Sequence, residues 1–303
     1  MMTRRQILQA SAIAASTITS MPSWALSPAP VLNQRSIPAT GEKIPVIGLG
    51  TSGNFEVGLA AAERDPLREV LSRFFAAGAR VIDTAPSYGN AESVLGDLLH
   101  EGAQRPACFL ASKLSSNGSE AGLAQFENSL KRLRTDRLDL LQVHNLRDWR
   151  EQLDLARALK SEGRVRYIGI THYVDSAHTE IAEVMQIAKP DFLQINYSVA
   201  SPNAAKRLLP HAEDLGVAVM VNRAFEDGQL FAQAKAHALP AWAAEVGVAT
   251  WAQMFLKFSI SHPAVTVVIP ATSKPERQTE NLVAGLGANL DARQCAELIA
   301  MFA

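Results

Sequence analysis

Leu138-Asp139-Leu140-Leu141-Gln142-Val143-His144, Val165-Arg166-Tyr167-Ile168-Gly169-Ile170-Thr171 and Phe192-Leu193-Gln194-Ile195-Asn196-Tyr197 are three short runs, largely apolar, separated by segments long enough for one helix each. Runs that are apolar without alternation suit parallel strands covered on both faces, since a half-wetted strand would show a polar residue at every second position. Working outward, the same kind of run recurs at Val46 to Gly50, Arg80 to Thr84, Cys108 to Lys113, Val217 to Asn222 and Val265 to Ile269. Helix candidates fill the gaps near 66 to 77, 91 to 101, 120 to 134, 149 to 162, 175 to 188, 202 to 215, 241 to 260 (broken at Gly247) and 275 to 285. Eight βα units with none left over point to an α/β chain closed into a (β/α)8 TIM barrel. A doubly wound sheet is the competing topology. Gly48-Leu49-Gly50-Thr51-Ser52-Gly53 stands where such a sheet carries its phosphate turn, but no helix opens directly after it.

Arg35 to Pro45 reads as two extended pieces joined around Thr40-Gly41, an N-terminal β-hairpin placed to plug the bottom of the barrel. Asp291 to Phe302 reads as one extra C-terminal helix capped by Asp291. The 303 residues therefore divide into a signal segment at 1–25, a linker at 26–33 containing Pro28-Ala29-Pro30, and a barrel at 34–303. Arg4-Arg5 precedes a mildly apolar, acid-free stretch from Ala10 to Met21 and then Ser23-Trp24-Ala25, a small-x-small cleavage pattern. The stretch is too short and too rich in Ser and Thr for a stable membrane anchor. The paired arginines resemble the twin-arginine export signal, which implies the twin-arginine export machinery as a partner and a periplasmic or otherwise exported location after cleavage near Ala25. A net charge of −1 provides no field for nucleic acid or anionic lipid, so a small-molecule substrate and a monomer are the expectations. Cys108 and Cys295 lack the spacing of a zinc or redox pair; they read as buried small hydrophobes, with one disulfide left open.

Barrel enzymes gather their reactive groups at the C-terminal ends of the strands. Strands two, three and four end in Asp83, Lys113 and His144, and the turn Pro86-Ser87-Tyr88-Gly89-Asn90 is able to fold Tyr88 back over them. An ammonium beside a phenol favours the phenolate, a carboxylate keeps that ammonium charged and aimed, and an imidazole hydrogen-bonds a substrate oxygen or passes on a proton. Alone, each residue has an ordinary structural reading: a helix cap, a surface charge, a core histidine, a packed aromatic. Their meeting on one arc of one rim argues for acid-base chemistry, with Tyr88 donating the proton.

Asp83-Thr84-Ala85-Pro86-Ser87-Tyr88-Gly89-Asn90-Ala91-Glu92-Ser93-Val94-Leu95-Gly96 resembles the aldo-keto reductase signature, and Ala111-Ser112-Lys113-Leu114 and Leu141-Gln142-Val143-His144 are similar to that family's lysine and histidine strand ends. The resemblance runs in order from about Val46 to Leu286. It implies the catalytic tetrad Asp83, Tyr88, Lys113 and His144, an NAD(P)H-dependent oxidoreductase reducing an aldehyde or ketone, and NADPH as cofactor with NADH as the variant. Val268-Ile269-Pro270-Ala271-Thr272-Ser273-Lys274-Pro275-Glu276-Arg277 is a strand, a hydroxyl-rich loop and a helix start, where oriented N–H groups favour phosphate. Pro270, Thr272, Ser273, Lys274 and Arg277 form that candidate cofactor end, with Lys274 and Arg277 placed to clamp the extra phosphate of NADPH. Asn281 resembles the family's adenine contact. Thr51 and, at later strand ends, Thr171, His172, Gln194, Asn222 and Arg223 complete the cofactor-binding set. Departures from the family pattern stand here too. Thr171-His172 replaces a Ser-Asn pair, which shifts the nicotinamide amide toward Gln194; Asn222 replaces a stacking tyrosine; Ala271 replaces a lysine. Arg147 and Arg223 are candidate contacts for an acidic carbonyl compound, against a structural reading as surface charges paired with carboxylates.

Two other classes compete: an exported barrel that binds a small ligand without turnover, and a metal-dependent hydrolase or isomerase drawing on Asp83, His144 and His172. The second lacks HxH or HxxxH spacing and has Asn222 and Thr272 where carboxylates or histidines are needed, so no metal site is expected.

Overall fold

The computed structural model describes residues Val31 to Phe302. The expected signal segment at 1–25, and the expected linker up to residue 30, lie outside the described residues. At the far edge of that linker, Leu32 is buried and the Asn33 N–H donates to the Gly285 carbonyl at 2.8 Å, so these two residues pack on the barrel.

Strands β1 (Gln34–Ser36) and β2 (Lys43–Pro45) pair antiparallel, with Arg35 opposite Ile44. Ile37 and Ile44 of this hairpin are fully buried against Val81, Phe109, Tyr167 and Phe192, residues at or near the starts of four barrel strands. Apolar contact of this kind fixes the hairpin as a plug in the N-terminal end, and polar contacts tighten it: Thr40 Oγ1 lies 2.7 Å from the Tyr167 hydroxyl, which donates to Glu42 at 2.8 Å.

The barrel strands are β3 (Leu49–Gly50), β4 (Val81–Asp83), β5 (Phe109–Leu114), β6 (Leu138–His144), β7 (Val165–Thr171), β8 (Phe192–Asn196), β9 (Ala218–Asn222) and β10 (Val265–Val268). Each is hydrogen-bonded in parallel to its sequence neighbour. Between β10 and β3 the ring is closed by parallel bridges at Ile47–Val268 and Gly50–Ala271, with the Gly48 N–H donating to Val268 O at 2.8 Å. Glycine is needed at this seam because a Cβ on Gly48 would lie 2.9 Å from Val81 O, and one on Gly50 2.8 Å from Ile269 O.

The α-helices among the described residues are α1 (Ala61–Ala76), α2 (Ala91–Glu101), α3 (Ser119–Leu133), α4 (Trp149–Ser161), α5 (His178–Ala188), α6 (Leu208–Asp214), α7 (Gln229–Ala234), α8 (Trp251–Ser261), α9 (Pro275–Val283) and α10 (Ala292–Phe302), with short 3-10 segments between some of them. Most fall where the apolar periodicity places them. Helix α1 starts earlier than its expected first residue, Pro66, because Arg64 is buried and tied to Gly58 O and Asp97, which draws the preceding turn into the helix. Pro66 then sits inside the helix, where the acceptor it deprives belongs to exposed Ala62. The expected helix at 241–260 is indeed interrupted: a 3-10 segment Ala241–Val246 ends at Gly247, φ +71°, before α8 begins. Helix α7 and the turn before it have no counterpart in the sequence reading. Cys108 and Cys295 are free; burial pushes the Cys108 thiol up to about 12, which keeps it protonated.

Candidate active site

Asp83 ends β4 and Lys113 lies one residue before the end of β5; both are almost wholly buried. The register Asp83–Ala111, with Lys113 two residues further on, points both side chains into the barrel mouth, where Lys113 Nζ donates to Asp83 Oδ2 at 2.6 Å and to Thr84 O at 2.8 Å. Burial disfavours the Lys113 ammonium, but the Asp83 carboxylate, helped by the Tyr88 phenol, outweighs it and holds the amine above its ordinary value. The other carboxylate oxygen, Asp83 Oδ1, accepts from Gln142 Nε2 at 3.0 Å and Gln194 Nε2 at 2.9 Å. A buried carboxylate is tolerated because both its oxygens are occupied by donors.

Tyr88 follows in the turn that links β4 to α2, with its N–H bonded to Ala85 O at 3.1 Å. The Lys113 ammonium lies 5.0 Å from the centre of the Tyr88 ring, and the His144 ring meets it edge-on with centroids 6.0 Å apart. His144, the last residue of β6, is pushed down to about 4, first by burial and then by the Lys113 charge and His172. Its imidazole is therefore neutral at physiological pH, and its Nδ1 faces Ser87 Oγ at 3.5 Å. The structure thus brings Asp83, Tyr88, Lys113 and His144 together as expected from the strand ends.

A cavity of about 1160 Å³ opens at this end of the barrel. Its walls include Asp83, Tyr88 and His144 together with Thr51, Thr171, Gln194, Asn222, Arg223, Pro270, Thr272, Arg277 and Asn281. Lys113, His172, Ser273 and Lys274 do not reach its walls. Lys113 lies behind Tyr88 and Asp83, while Lys274 donates its backbone N–H to Thr272 Oγ1 at 3.1 Å, fixing the turn before α9. His172 contributes its carbonyl, which accepts from Asn222 Nδ2 at 3.0 Å. Gln194 is committed to the barrel interior: its Oε1 accepts from Thr171 Oγ1 at 3.2 Å, and its Nε2 is shared among Asp83, Gln142 and Met220 Sδ. Asn222 Oδ1, by contrast, is buried without a partner.

A model of the aldo/keto reductase family matches residues 46–301, which span all eight barrel strands and every one of these side chains. The chain belongs to the aldo/keto reductase family. As a family member it is an oxidoreductase, and relatives and solved structures agree. An aldo-keto reductase from Mycobacterium sp. (strain JLS) is 31% identical over 247 residues, covering 80% of this chain and 83% of its own. An aldo/keto reductase from Klebsiella pneumoniae, solved in complex with NADP and acetate, superposes with a TM-score of 0.73 at 28% identity over 86% of this chain and 93% of its own. One from the same organism in complex with NADPH gives a TM-score of 0.75 at 27% identity, covering 90% and 95%.

Within this reductase, several wall residues carried no sequence signal. Tyr173, 45% exposed, stacks on His172 with centroids 5.5 Å apart, and the Arg223 guanidinium lies 5.6 Å from its ring centre. Its place just past the end of β7 was the only available clue. Trp251 at the start of α8 lines the cavity, with its indole N–H on His237 O at 3.1 Å. The arginines singled out for an acidic substrate are otherwise engaged. Arg223 pairs with Asp227 at 2.9 Å and Glu226 at 3.7 Å, while Arg147 donates to Asn117 Oδ1 at 3.0 Å and does not reach the walls.

Proposed function

We propose that this reductase transfers a hydride from NADPH to the carbonyl carbon of an aldehyde or ketone, with Tyr88 as the general acid. The observation that carries the reading is the buried Lys113 ammonium, fixed 2.6 Å from Asp83 and facing the Tyr88 ring at 5.0 Å.

The residues present fit a nicotinamide dinucleotide. The cavity takes in both the Tyr88–His144 end and the first turns of α9, where Pro275 at the first helical position and oriented N–H groups favour a phosphate, with Arg277 as a bidentate donor. Thr51, Pro270, Thr272 and Asn281 line the same wall, and Ser273 and Lys274 shape the turn that begins it. At the nicotinamide end stand Thr171, Gln194, Asn222 and Arg223, with the unpartnered Asn222 Oδ1 an acceptor for an amide. The His172 carbonyl holds the Asn222 side chain in place. Support for NADPH rather than NADH comes from Arg277 and from the two Klebsiella pneumoniae reductases, whose complexes hold NADP and NADPH.

When bound, the dinucleotide supplies the hydride. The protein's part is to place and charge-balance the carbonyl oxygen. Tyr88 donates its phenolic proton to that oxygen, and the phenolate left behind forms beside the Lys113 ammonium in a site of low dielectric. Asp83 keeps the ammonium protonated. The neutral His144, with Nδ1 toward Ser87, directs Nε2 to the substrate oxygen as a hydrogen-bond partner rather than as a proton carrier.

Export rests on Arg4-Arg5 and Ser23-Trp24-Ala25: the chain passes the twin-arginine machinery folded, with its cofactor, and is cleaved near Ala25 for the periplasm or another exported location. Among the described residues no helix is long and apolar enough to cross a membrane.

The test is a fluorescence titration of the purified chain with NADPH and with NADH, followed by turnover of a nitrobenzaldehyde. Tighter quenching by NADPH and slow aldehyde reduction are expected. Saturable binding of either dinucleotide without any turnover of reactive aldehydes would reject the reductase in favour of a binding protein.

A further inference from the structure

Gln142 stands two residues before His144 on β6 and therefore points its side chain into the same mouth. It is fully buried, yet its amide is satisfied: Nε2 donates to Asp83 Oδ1 at 3.0 Å and Oε1 accepts from Gln194 Nε2 at 3.3 Å. The chain of donors continues through Gln194 Oε1, which accepts from Thr171 Oγ1 at 3.2 Å and Asn222 Nδ2 at 3.4 Å. A carboxylate has two oxygens and one torsion that exchanges them. With Oδ1 held by two amides from β6 and β8, Oδ2 is left for Lys113 at 2.6 Å.

A second observation shows that the fold makes room for this side chain. Gly169 is the parallel partner of Gln142 on β7, and a Cβ there would lie 3.0 Å from Gln142 Cγ and 3.0 Å from Phe192 O. The absent side chain at 169 is the space that Gln142 occupies. Position 142 lies in a buried polar layer with Asp83, Lys113 and Gln194, where an apolar side chain would leave an acceptor site on Asp83 and a donor on Gln194 short of a partner.

We propose that Gln142 is a positioning residue for the reduction: through Asp83 it orients the Lys113 ammonium toward Tyr88, and it joins Asp83 to the Gln194–Asn222 end of the cavity in one amide relay. The proposal rests on the tetrad reading given above. It predicts that the amide acts as a donor to Asp83, not merely as a filler of volume.

The discriminating variant is Gln142→Glu. A protonated glutamic acid keeps the relay, since its O–H donates to Asp83 Oδ1 and its carbonyl still accepts from Gln194. Once ionised it has no donor and sets a second negative charge against Asp83. The charged groups that face position 142 are Asp83 on β4 and Lys113 on β5; Gly169, its partner on β7, carries no side chain, and Gln194, met from β8, is neutral. Gln142→Glu is therefore expected to turn over at acid pH within about threefold of the parent and to lose at least tenfold as the new carboxyl ionises, a limb additional to the one that ionisation of the Tyr88 acid gives the parent. Gln142→Leu is expected to lose about tenfold in kcat at every pH, with the Kd for NADPH within twofold. A pH-independent loss in Gln142→Glu equal to that in Gln142→Leu would overturn the proposal, as would full kcat in Gln142→Leu. A crystal structure of Gln142→Leu separates this from failure of the tetrad reading, because it needs no turnover. Rotation of the Asp83 carboxylate away from its present pose supports the relay, and an unchanged Asp83–Lys113 pair refutes it.

Discussion

Replacing Asp83 by Asn removes the charge that holds Lys113 protonated while leaving side-chain volume nearly unchanged. The side chains of both partners are buried, 3% and 0% exposed, so the loss is not softened by solvent. Breaking a buried pair by deleting one partner costs about 3 to 5 kcal/mol, most of it the penalty of an uncompensated charge. The sign of its pH dependence follows from the direction of the Lys113 shift. In the parent the folded amine titrates above the unfolded value of about 10.4, so its contribution is fully present below that value and is lost as pH climbs through the raised folded one. With Asn at 83 the leading influence left is burial, which pushes the amine down. The folded variant then releases its proton before the unfolded chain does, and stability is regained as pH rises toward the unfolded value. Urea unfolding of both proteins, followed by tryptophan fluorescence from pH 6 to about 10, should show a gap of about 3 to 5 kcal/mol near neutrality that narrows with rising pH. A gap below about 1 kcal/mol, or one that is constant across the range, would refute the charged, buried pair.

His144, depressed to about 4 by burial, should remain neutral down to that pH in a 15N NMR titration; protonation near the ordinary value would contradict the geometry. Because its folded pKa lies below its unfolded value of about 6.5, the parent should lose stability as pH falls between the two, by roughly 3 kcal/mol at the acid end, and His144→Gln should abolish that share of the acid sensitivity. Arg277→Ala, which removes a charged donor beside α9, should weaken NADPH by about tenfold or more while changing NADH by no more than a few fold, read by fluorescence quenching; equal weakening of both would exclude a role at the extra phosphate. Fractionation of cells carrying Arg4→Lys/Arg5→Lys should find the protein retained inside, and unchanged delivery would dismiss the twin-arginine signal.

The barrel was legible in the sequence because its signal is redundant: β6 and β7 occupy the very ranges read from their apolar runs, and the other strands shift by only a few residues. The meeting of Asp83, Lys113 and His144 on one arc was legible for a related reason, since parallel strands in register convert sequence position into place on the rim. What stayed hidden depended on contacts across the chain. The early start of α1 follows from the Arg64–Asp97 pair, formed between residues that no periodicity connects. Helix α7 is only Gln229–Ala234, too short to impose a pattern, and Gly228 with φ +90° marks its start without announcing it. Gln194 lines the cavity, but the partners that hold its amide, Asp83 and Thr171, were not legible, because strand alternation gives the direction of a side chain and not what it bonds to. For Arg223 the sequence left a substrate contact and a pairing with carboxylates both open, and which carboxylates, Asp227 and Glu226, is visible only in the folded turn.

Turnover of Tyr88→Phe with NADPH and a reactive aldehyde, measured beside its NADPH affinity, bears most directly on the central claim. The substitution removes one oxygen from a ring packed between Lys113 and His144 and disturbs little else. If the phenol is the proton donor, kcat falls by at least about 100-fold while the Kd for NADPH moves by less than about threefold. Equal turnover in the two proteins would contradict the account.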